Sequence, residues 1–462
     1  MRRRYLKKMK KLLLTIPIYL LSLNFIYGQF IVKNLMFQPT GLSNQGFVVG
    51  YVAQAGPYSI WKPDSTITVN IGGLAPGNGI GSQAGFSDDG NFLCGTSYGA
   101  SGAEMSHYNQ TTHQWNVLGS LGFVVDSTVG GGFGISGDGN TVVGLSWADT
   151  AGGAAYAHAV AWNQAEGIMD LGSLHDSIHA GTRANAASYD GKVVVGWQDF
   201  NGPWKSAVWL KNPAGGYFRN KYLLVDTTLS AADDYNQLGE CSVVSANGVW
   251  IGGYGDYANN NQPWLWSRPT GVINLGSLPN TGAGYVSGIN ANGTIAVGWF
   301  DGALFGDPQT PFIWTSAGGL QNLNTYIHSV LGLSTGAIQV SAASCMSSNG
   351  QYIAGYGVDT ISSNSVAYRV SAVSSAGISE LNQTSDITVF PNPFDSQTNI
   401  VFAKEQLNTI IKITDIVGKE IETINFTGRQ LVIEKAEMKA GIYFVSIEDE
   451  NKNVVNRKVV VE

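Results

Sequence analysis

A short pattern that recurs seven times constrains this chain more than any other feature. Each copy starts with a turn dipeptide ending in glycine, continues with three or four mostly apolar residues and ends on a second glycine. The copies span residues 45–50, 89–95, 138–144, 190–196, 247–253, 292–298 and 349–355. In six of the seven the dipeptide is Asp-Gly or Asn-Gly. Because these dipeptides favour the positive φ angles of type I′ turns, each copy predicts a hairpin tip that leads into a strand.

The spacing of the copies predicts the size of the repeating unit. Successive hairpin glycines lie 44 to 57 residues apart, and most copies continue to a strand that ends in tryptophan and then to a phrase such as residues 168–174. One unit therefore holds about four strands, which matches a β-propeller blade and is too long for a β-helix coil. The strand after each turn is apolar on both faces, as expected for a sheet packed between two neighbours.

The two ends of the repeat region each supply a strand-like fragment, residues 30–35 and residues 367–370. We expect these fragments to complete one blade and close a ring, which removes exposed sheet edges. The sequence thus predicts an all-β fold with a seven-bladed β-propeller over residues 29–370. An open stack of β-sandwiches is the alternative.

The distribution of charge indicates a route of export and excludes one class of partner. Residues 2–11 hold seven basic residues, residues 12–26 are apolar, and Gly28 follows. This order predicts a removable signal peptide over residues 1–28; an N-terminal membrane anchor is the alternative, but about 15 apolar residues are short for a bilayer. The mature protein is then expected to have no transmembrane segment. Residues 29–385 carry 10 basic and 21 acidic residues, which argues against nucleic acid as a partner.

Three cysteines, Cys94, Cys241 and Cys345, lie in strand-like segments without regular spacing. An odd count with irregular spacing argues against a disulfide framework or a zinc site. The sequence predicts buried free thiols.

The repeats resemble a known extracellular family. Residues 135–144 and 169–174 are similar to HAF repeats, and the similarity extends over about residues 30–370. Residues 320–326 and 342–346 also resemble the longer segment that such proteins carry near their last copies. The resemblance implies secretion and a propeller-like body, and it brings no catalytic set with it.

After a polar linker at residues 371–385 the composition changes, and residues 386–462 form a separate predicted domain. Alternation of Ile411 and Ile413 with polar neighbours predicts a small antiparallel, immunoglobulin-like sandwich. This region resembles the type A C-terminal sorting domain of the type IX secretion system. The residues that carry the resemblance are Pro391, Asn392, Pro393, Asp415, Gly418, Lys419, Gly441 and Tyr443. It implies the type IX machinery as a partner and passage through the periplasm of a Bacteroidota-type cell to the surface or the medium; an ordinary immunoglobulin-like binding module is the alternative.

Residues at equivalent repeat positions share one face of a propeller, so the positions just after the second glycines are candidates for a site. Five of these seven are aromatic, and a carboxylate follows closely in four repeats. Aromatic faces beside carboxylates suit sugars or calcium; packing of one blade on the next is the alternative. The candidate ligand-binding residues are Trp197, Asp199, Tyr254, Asp256, Trp299, Asp301, Tyr356 and Asp359.

These observations favour a non-catalytic module for recognition or adhesion that binds extracellular glycan or protein. The alternative is a secreted polysaccharide-degrading enzyme, a hydrolase or lyase, whose acid and base come from Asp199, Asp256 and Asp301. The sequence identifies no catalytic residue, metal ligand or cofactor, and calcium stays an alternative ligand.

Overall fold

We describe the fold from a computed structural model of the chain. Its described residues are 28–33, 37–53, 56–65, 67–74, 83–124, 130–149, 155–172, 181–199, 204–219, 238–255, 261–371, 387–392, 394–415, 419–436, 438–449 and 454–461. The chain divides into two compact units, Met1–Ser374 and Ser375–Glu462. The predicted signal peptide (1–28) and linker (371–385) lie almost wholly outside the described residues. Within the described ranges, no helix has the length and apolar character needed to cross a bilayer.

The first unit is built from antiparallel sheets, and seven four-stranded sheets lie within its described residues. The first strand within the described residues is β1 (Phe30–Lys33). Sheet 1 holds β2 (Gln38–Leu42), β3 (Val48–Tyr51), β4 (Tyr58–Lys62) and β5 (Ile67–Gly72), with a 3-10 turn at Pro63–Ser65. Sheet 2 holds β6 (Gly85–Phe86), β7 (Phe92–Gly99), β8 (Gly102–Asn109) and β9 (Gln114–Val117). Sheet 3 holds β10 (Gly130–Ile135), β11 (Thr141–Asp149), β12 (Ala155–Asn163) and β13 (Gly167–Asp170).

The remaining sheets repeat this plan. Sheet 4 holds β14 (Thr182–Ala187), β15 (Val193–Asp199), β16 (Trp204–Lys211) and β17 (Tyr217–Arg219). Sheet 5 holds β18 (Cys241–Val244), β19 (Trp250–Tyr254), β20 (Pro263–Ser267) and β21 (Gly271–Asn274). Sheet 6 holds β22 (Thr281–Ile289), β23 (Ile295–Gly302), β24 (Thr310–Thr315) and β25 (Gly319–Asn322), and helix α1 (Leu323–Ser329) follows it. Sheet 7 holds β26 (Ile338–Met346), β27 (Tyr352–Asp359), β28 (Ser365–Ser371) and β1. The all-β prediction is confirmed.

Each recurring pattern forms the turn between the first two strands of a sheet. The hairpin glycine has a positive φ in all seven copies, from 65° to 79°, as the sequence predicts. The predicted type I′ geometry is wrong, because the residue before the glycine has a negative φ. In sheet 2 the Asp89 carboxylate accepts hydrogen bonds from the Ser87 hydroxyl (2.7 Å) and the Asn91 backbone amide (3.0 Å). This is an Asx-type turn in which Gly90 alone has a left-handed backbone conformation.

The second glycine of the pattern faces a bulge in the preceding strand. Opposite Gly298 the pairing of β22 with β23 shifts register between Val286 and Gly288, and a Cβ atom on Gly298 would lie 1.8 Å from the Tyr285 carbonyl oxygen. Gly144, Gly196 and Gly355 show the same approach at 2.0 Å or less. The glycine thus lets two backbones meet where the bulge turns the first strand.

Hydrogen bonds between turns link the seven sheets in sequence. The Asn44 amide donates to the Asp88 carbonyl, and the same link runs from each turn to the next as far as Ser348. The last turn returns to the first, because the Asn349 amide donates to the Asn44 side chain at 2.9 Å. The first strands of neighbouring sheets contact each other in the same order, including those of sheets 7 and 1.

The predicted closing strand is also present. Strand β1 pairs antiparallel with β28, with Phe30 opposite Val370 and Lys33 opposite Ala367. On β28 the buried Arg369 reaches the neighbouring sheet 1, where its guanidinium donates to the Asp64 carboxylate at 2.6 and 3.0 Å and to the Gly46 carbonyl at 3.1 Å. First and last sheets are therefore joined by an ion pair as well as by packing.

Side chains buried between sheets form the core of this unit. Val142, Val143, Val194 and Val195 are fully buried, which confirms that the strands after the turns are apolar on both faces. All three cysteines are buried and free, as predicted. Helix α1 is not predicted from the repeat pattern, and it packs Leu323 and Ile327 against buried residues of sheets 6 and 7.

The second unit is a five-stranded antiparallel sheet with its own core. Its strands are β29 (Ile387–Phe390), β30 (Gln397–Asp415), β31 (Glu420–Glu434), β32 (Gly441–Glu448) and β33 (Val454–Val461). Long strand β30 pairs with β29, β31 and β32, and β33 pairs with β32. Ile411 and Ile413 are fully buried while Lys412 is half exposed, so the predicted alternation is present.

Candidate functional site

A cavity of about 550 Å³ opens at the ends of the strands away from the hairpin turns. First and second strands of several sheets contribute to it, and in four of the seven repeats the residue after the second glycine lines it. Three rings form a continuous row on one wall: Tyr254 meets Tyr285 at 4.5 Å between centroids, and Tyr285 stacks on Trp299 at 5.3 Å. We call these three residues the aromatic row. Tyr356 and Tyr51 continue the lining around sheets 7 and 1.

The structure brings three of the predicted aromatic residues into this cavity, namely Tyr254, Trp299 and Tyr356. The fourth, Trp197, is only 8% exposed and lies behind Trp204, whose ring stacks on it at 4.3 Å with 9° between planes. Trp204 lines the cavity and is 47% exposed. The outer face of this pair therefore belongs to Trp204, which starts β16 and which the repeat position alone does not single out.

The predicted carboxylates have different settings. Asp301 accepts hydrogen bonds from the Tyr285 hydroxyl at 2.9 Å and the Gln309 amide at 3.2 Å, so it supports the aromatic row. Asp359 folds its own loop, where it accepts from the Ile361 amide and the Ser362 hydroxyl; the first of these bonds is the main cause that lowers its pKa. Asp199 stands opposite Trp204 in the strand pairing. Asp256 lies outside the described residues.

The strongest polar feature of the cavity is a cluster that sequence reasoning missed. Arg183 donates to the Glu240 carboxylate at 2.7 Å and to the Asn185 side chain at 2.7 Å. Glu240 also accepts from the Asn185 amide at 2.7 Å and from the Tyr254 hydroxyl at 2.9 Å. Glu240 is 6% exposed. We call Arg183, Asn185, Glu240 and Tyr254 the arginine–glutamate cluster.

Aromatic rings surround the arginine of this cluster. The guanidinium carbon of Arg183 lies 4.5 Å from the centroid of Phe133, 5.4 Å from Trp197 and 6.0 Å from Trp204. These cation–π contacts and the Glu240 pair hold the side chain in one position. A signal for the cluster was present in the sequence, because Arg183 is one of only 10 basic residues between positions 29 and 385 and lies on a first strand.

The phenols at the cavity are held in the protonated form. Burial is the largest cause that raises the pKa of Tyr254, and the Glu240 charge and hydrogen bond add to it. Burial and the bond to Asp301 raise the pKa of Tyr285 to about 12. Burial also raises the pKa of Tyr356. These hydroxyls therefore act as donors at neutral pH.

Calcium is not tested by this geometry. Within the described residues, no three His, Cys, Asp or Glu side chains form a group that could hold a metal ion, and Asp256 lies outside those residues. The calcium alternative stays a prediction.

The sorting-motif residues surround one edge of the second unit. The Pro391 carbonyl accepts from the Thr398 hydroxyl at 2.7 Å, and the Asn392 side chain accepts from the Val460 amide at 2.8 Å. At the predicted hairpin the Lys419 amide donates to the Asp415 carboxylate at 2.9 Å. Tyr443 is buried and donates to the Lys439 carbonyl, and Gly441 pairs with Val461. Pro393 and Gly418 lie outside the described residues.

Comparison with known families identifies this second unit. Residues 388–462 match the family model of the secretion system C-terminal sorting domain. The chain is therefore a substrate of the type IX secretion system, which exports it to the cell surface or the medium. The HAF resemblance of the first unit stays a prediction.

Similarity to individual proteins is limited. Over 79 residues the chain is 33% identical to an endo-acting ulvan lyase of Formosa agariphila. The matched segment covers 17% of this chain and 15% of the lyase. This chain is also similar to solved structures at low sequence identity. They include an oligogalacturonate lyase of Vibrio parahaemolyticus (TM-score 0.45, 12% identity, 76% of this chain and 93% of that one) and PorZ of Porphyromonas gingivalis (TM-score 0.34, 12% identity, 92% and 70%). TolB of Acinetobacter baumannii is a further neighbour (TM-score 0.38, 14% identity, 63% and 62%).

Proposed function

We propose that the exported chain is a non-catalytic glycan-binding protein, and that its first unit is a seven-bladed β-propeller carrying the site. The continuous hydrogen bonding from turn to turn and the pairing of β1 with β28 support seven blades in a closed ring. The second unit is proposed to be an immunoglobulin-like sandwich that serves export. Adhesion to an extracellular protein is the alternative ligand class, and we favour sugars because the cavity presents flat aromatic faces.

The observation that carries the proposal is the aromatic row beside fixed polar groups. The ring faces of Tyr254, Tyr285 and Trp299 offer flat apolar surfaces for the C–H faces of sugar rings. Polar groups fix the lining tyrosines, because the Tyr285 hydroxyl donates to Asp301 and the Tyr356 hydroxyl donates to Gln309. A concave, partly apolar cavity with a few oriented polar groups is the usual form of a small-ligand site.

The hydrogen bonds already made by the cavity carboxylates favour binding over catalysis. Glu240 accepts from Arg183, Asn185 and Tyr254, so most of its acceptor sites are occupied and its charge is paired with that of Arg183. The raised pKa of Tyr254 keeps that phenol from acting as a base at neutral pH. A general base needs a pKa near the working pH, and the Tyr254 phenol does not meet this requirement.

A polysaccharide lyase is the second candidate function. The specific observation in its favour is that one cavity holds an arginine, which could neutralise a uronate carboxylate, next to a tyrosine. The short similarity to an ulvan lyase points the same way. Release of unsaturated sugars from ulvan or polygalacturonate by the full chain, lost in Tyr254→Phe, would replace the binding proposal with this one.

Glycan arrays and affinity electrophoresis of the full chain test the binding proposal. We expect Trp204→Ala and Trp299→Ala each to weaken binding about tenfold, because a stacked aromatic face is lost. Tyr98→Ala is the matched control, since Tyr98 is 68% exposed and does not line the cavity. Binding that persists unchanged in both tryptophan variants would contradict a site in this cavity.

A further inference from the structure

The charges of the cavity carry an inference about which glycans it takes, and this inference rests on the proposed function. Among the described lining residues, Arg183 and Glu240 are the charged ones, and they are paired at 2.7 Å. Asp301 stands just behind the wall, bonded to Tyr285. The described lining therefore presents no unpaired cation, and Asp301 adds a negative charge beside it.

We propose that Glu240 is a specificity-determining residue that masks Arg183 and makes the cavity select neutral over anionic glycans. A uronate or sulfate group gains most from a charge-assisted bond to arginine. Here the Arg183 charge is already paired with Glu240 at 2.7 Å, and a second anion placed beside the pair would face the Glu240 and Asp301 charges. A neutral sugar meets no such opposition, because its hydroxyls donate to and accept from neutral groups.

The surroundings of Arg183 make the masking local and removable. Phe133, Trp197 and Trp204 limit the contact of the guanidinium with water. Asn185 also holds it, and the Asn185 amide is held by the Cys241 carbonyl as well as by Glu240. Its side chain is still 22% exposed, whereas that of Glu240 is 7% exposed. Removing the Glu240 charge therefore leaves a positioned cation that an anion entering the cavity can reach.

The variant Glu240→Gln tests this inference because the amide keeps the size of the side chain and removes its charge. Full-length wild type and variant are compared on laminarin and xylan as neutral probes, and on polygalacturonate and alginate as anionic probes. We expect wild type to prefer the neutral probes. The ratio of anionic to neutral affinity should rise at least about tenfold in the variant, and added salt should reverse the gain.

Glu166→Gln is the matched control. Glu166 pairs with Lys211, and neither residue lines the cavity, so this variant unmasks a cation elsewhere and should leave the ratio unchanged. Thermal unfolding shows whether Glu240→Gln is folded, and the wild-type preference is a second reading that needs no variant.

The outcomes separate this inference from the proposed function. Wild type that binds polygalacturonate as tightly as laminarin overturns the masking role and leaves glycan binding intact. Wild type that binds neither class, beside a variant that gains polygalacturonate binding, overturns the proposed function and supports masking. An equal rise of the ratio in both variants overturns masking, because it would reflect net charge alone.

Discussion

At the scale of single residues, the second glycine decides in six of the seven repeats whether two strands can approach, because a Cβ there would lie 1.8 to 2.1 Å from a facing backbone carbonyl oxygen. A Cβ atom at Gly298 would lie 1.8 Å from the Tyr285 carbonyl oxygen and 2.8 Å from the Phe312 ring. The carbonyl is backbone opposite a bulge and cannot move aside cheaply. We expect Gly298→Ala to lower the free energy of unfolding by about 3 kcal/mol, measured by chemical denaturation.

Gly181→Ala is the control for this prediction. Its Cβ would make ordinary contacts at 3.8 Å, and its φ is not positive, so alanine should be neutral or stabilising by up to about 1 kcal/mol. Equal losses in the two variants would show that the close approach at Gly298 is not what the glycine is needed for. Because Tyr285 also belongs to the aromatic row, Gly298→Ala should weaken glycan binding as well.

At the scale of elements, the link between β28 and sheet 1 depends on a buried cation. Arg369 is 1% exposed and donates twice to Asp64, and its guanidinium lies 4.8 Å from the Tyr352 ring centroid. Removing the carboxylate leaves a buried charge whose remaining acceptor among the described residues is the Gly46 carbonyl. We expect Asp64→Ala to cost about 2 kcal/mol or more, measured from the unfolding transition of the first unit.

Lys192→Ala provides the comparison, because the Lys192–Asp190 pair is exposed on both sides. Such surface pairs contribute about 1 kcal/mol or less. A loss for Asp64→Ala as small as that for Lys192→Ala would mean that water reaches Arg369 well enough to replace its partner.

The same scale explains what the sequence could and could not predict. Local turn chemistry and spacing were enough for the hairpin glycines, the four-strand unit and the pairing of Phe30–Lys33 with β28. The cavity residues Arg183, Glu240 and Tyr285 lie on or beside first strands, where bulges shift the two-residue alternation. Their contacts join different sheets, as between Arg183 and Glu240, 57 positions apart. Trp204 was missed because it takes its place by stacking on Trp197 rather than by repeat position.

At the scale of the whole molecule, the hydrogen bonds between turns run without a gap through the described turns of the first unit and join its first and last sheets. Asp88 belongs to this series: its carbonyl accepts from the Asn44 amide and its own amide donates to the Gly137 carbonyl. Its carboxylate atom Oδ2 is buried, with no hydrogen-bond partner among the described residues. Burial is the largest cause that raises the pKa of Asp88, the charges of Asp89 and Asp138 add to it, and bonds from Ser348 and Asn44 oppose it.

A raised pKa in the folded state means that the ionised Asp88 carboxylate is tolerated less well in the fold than in the unfolded chain. Its cost is absent below the unfolded pKa and grows as the pH rises from there through the folded pKa. Asp88→Asn keeps both backbone bonds and removes the charge. We therefore expect the variant to unfold at a higher temperature than wild type at pH 7, with the difference shrinking towards pH 3.5.

Asp89→Asn separates this effect from a general change in charge. Asp89 is exposed and directly precedes the hairpin glycine. Three of the seven repeats carry asparagine at that position (Asn247, Asn292 and Asn349). The amide oxygen can accept the same bonds from the Ser87 hydroxyl and the Asn91 backbone amide. Because the Asp89 charge is a smaller cause of the raised Asp88 pKa than burial, Asp89→Asn should raise the unfolding temperature at pH 7 by much less than Asp88→Asn. If Asp88→Asn unfolded at a lower temperature than wild type at pH 7, the Asp88 carboxylate would have to stabilise the turn series as an acceptor, and the cost assigned to its burial would be wrong.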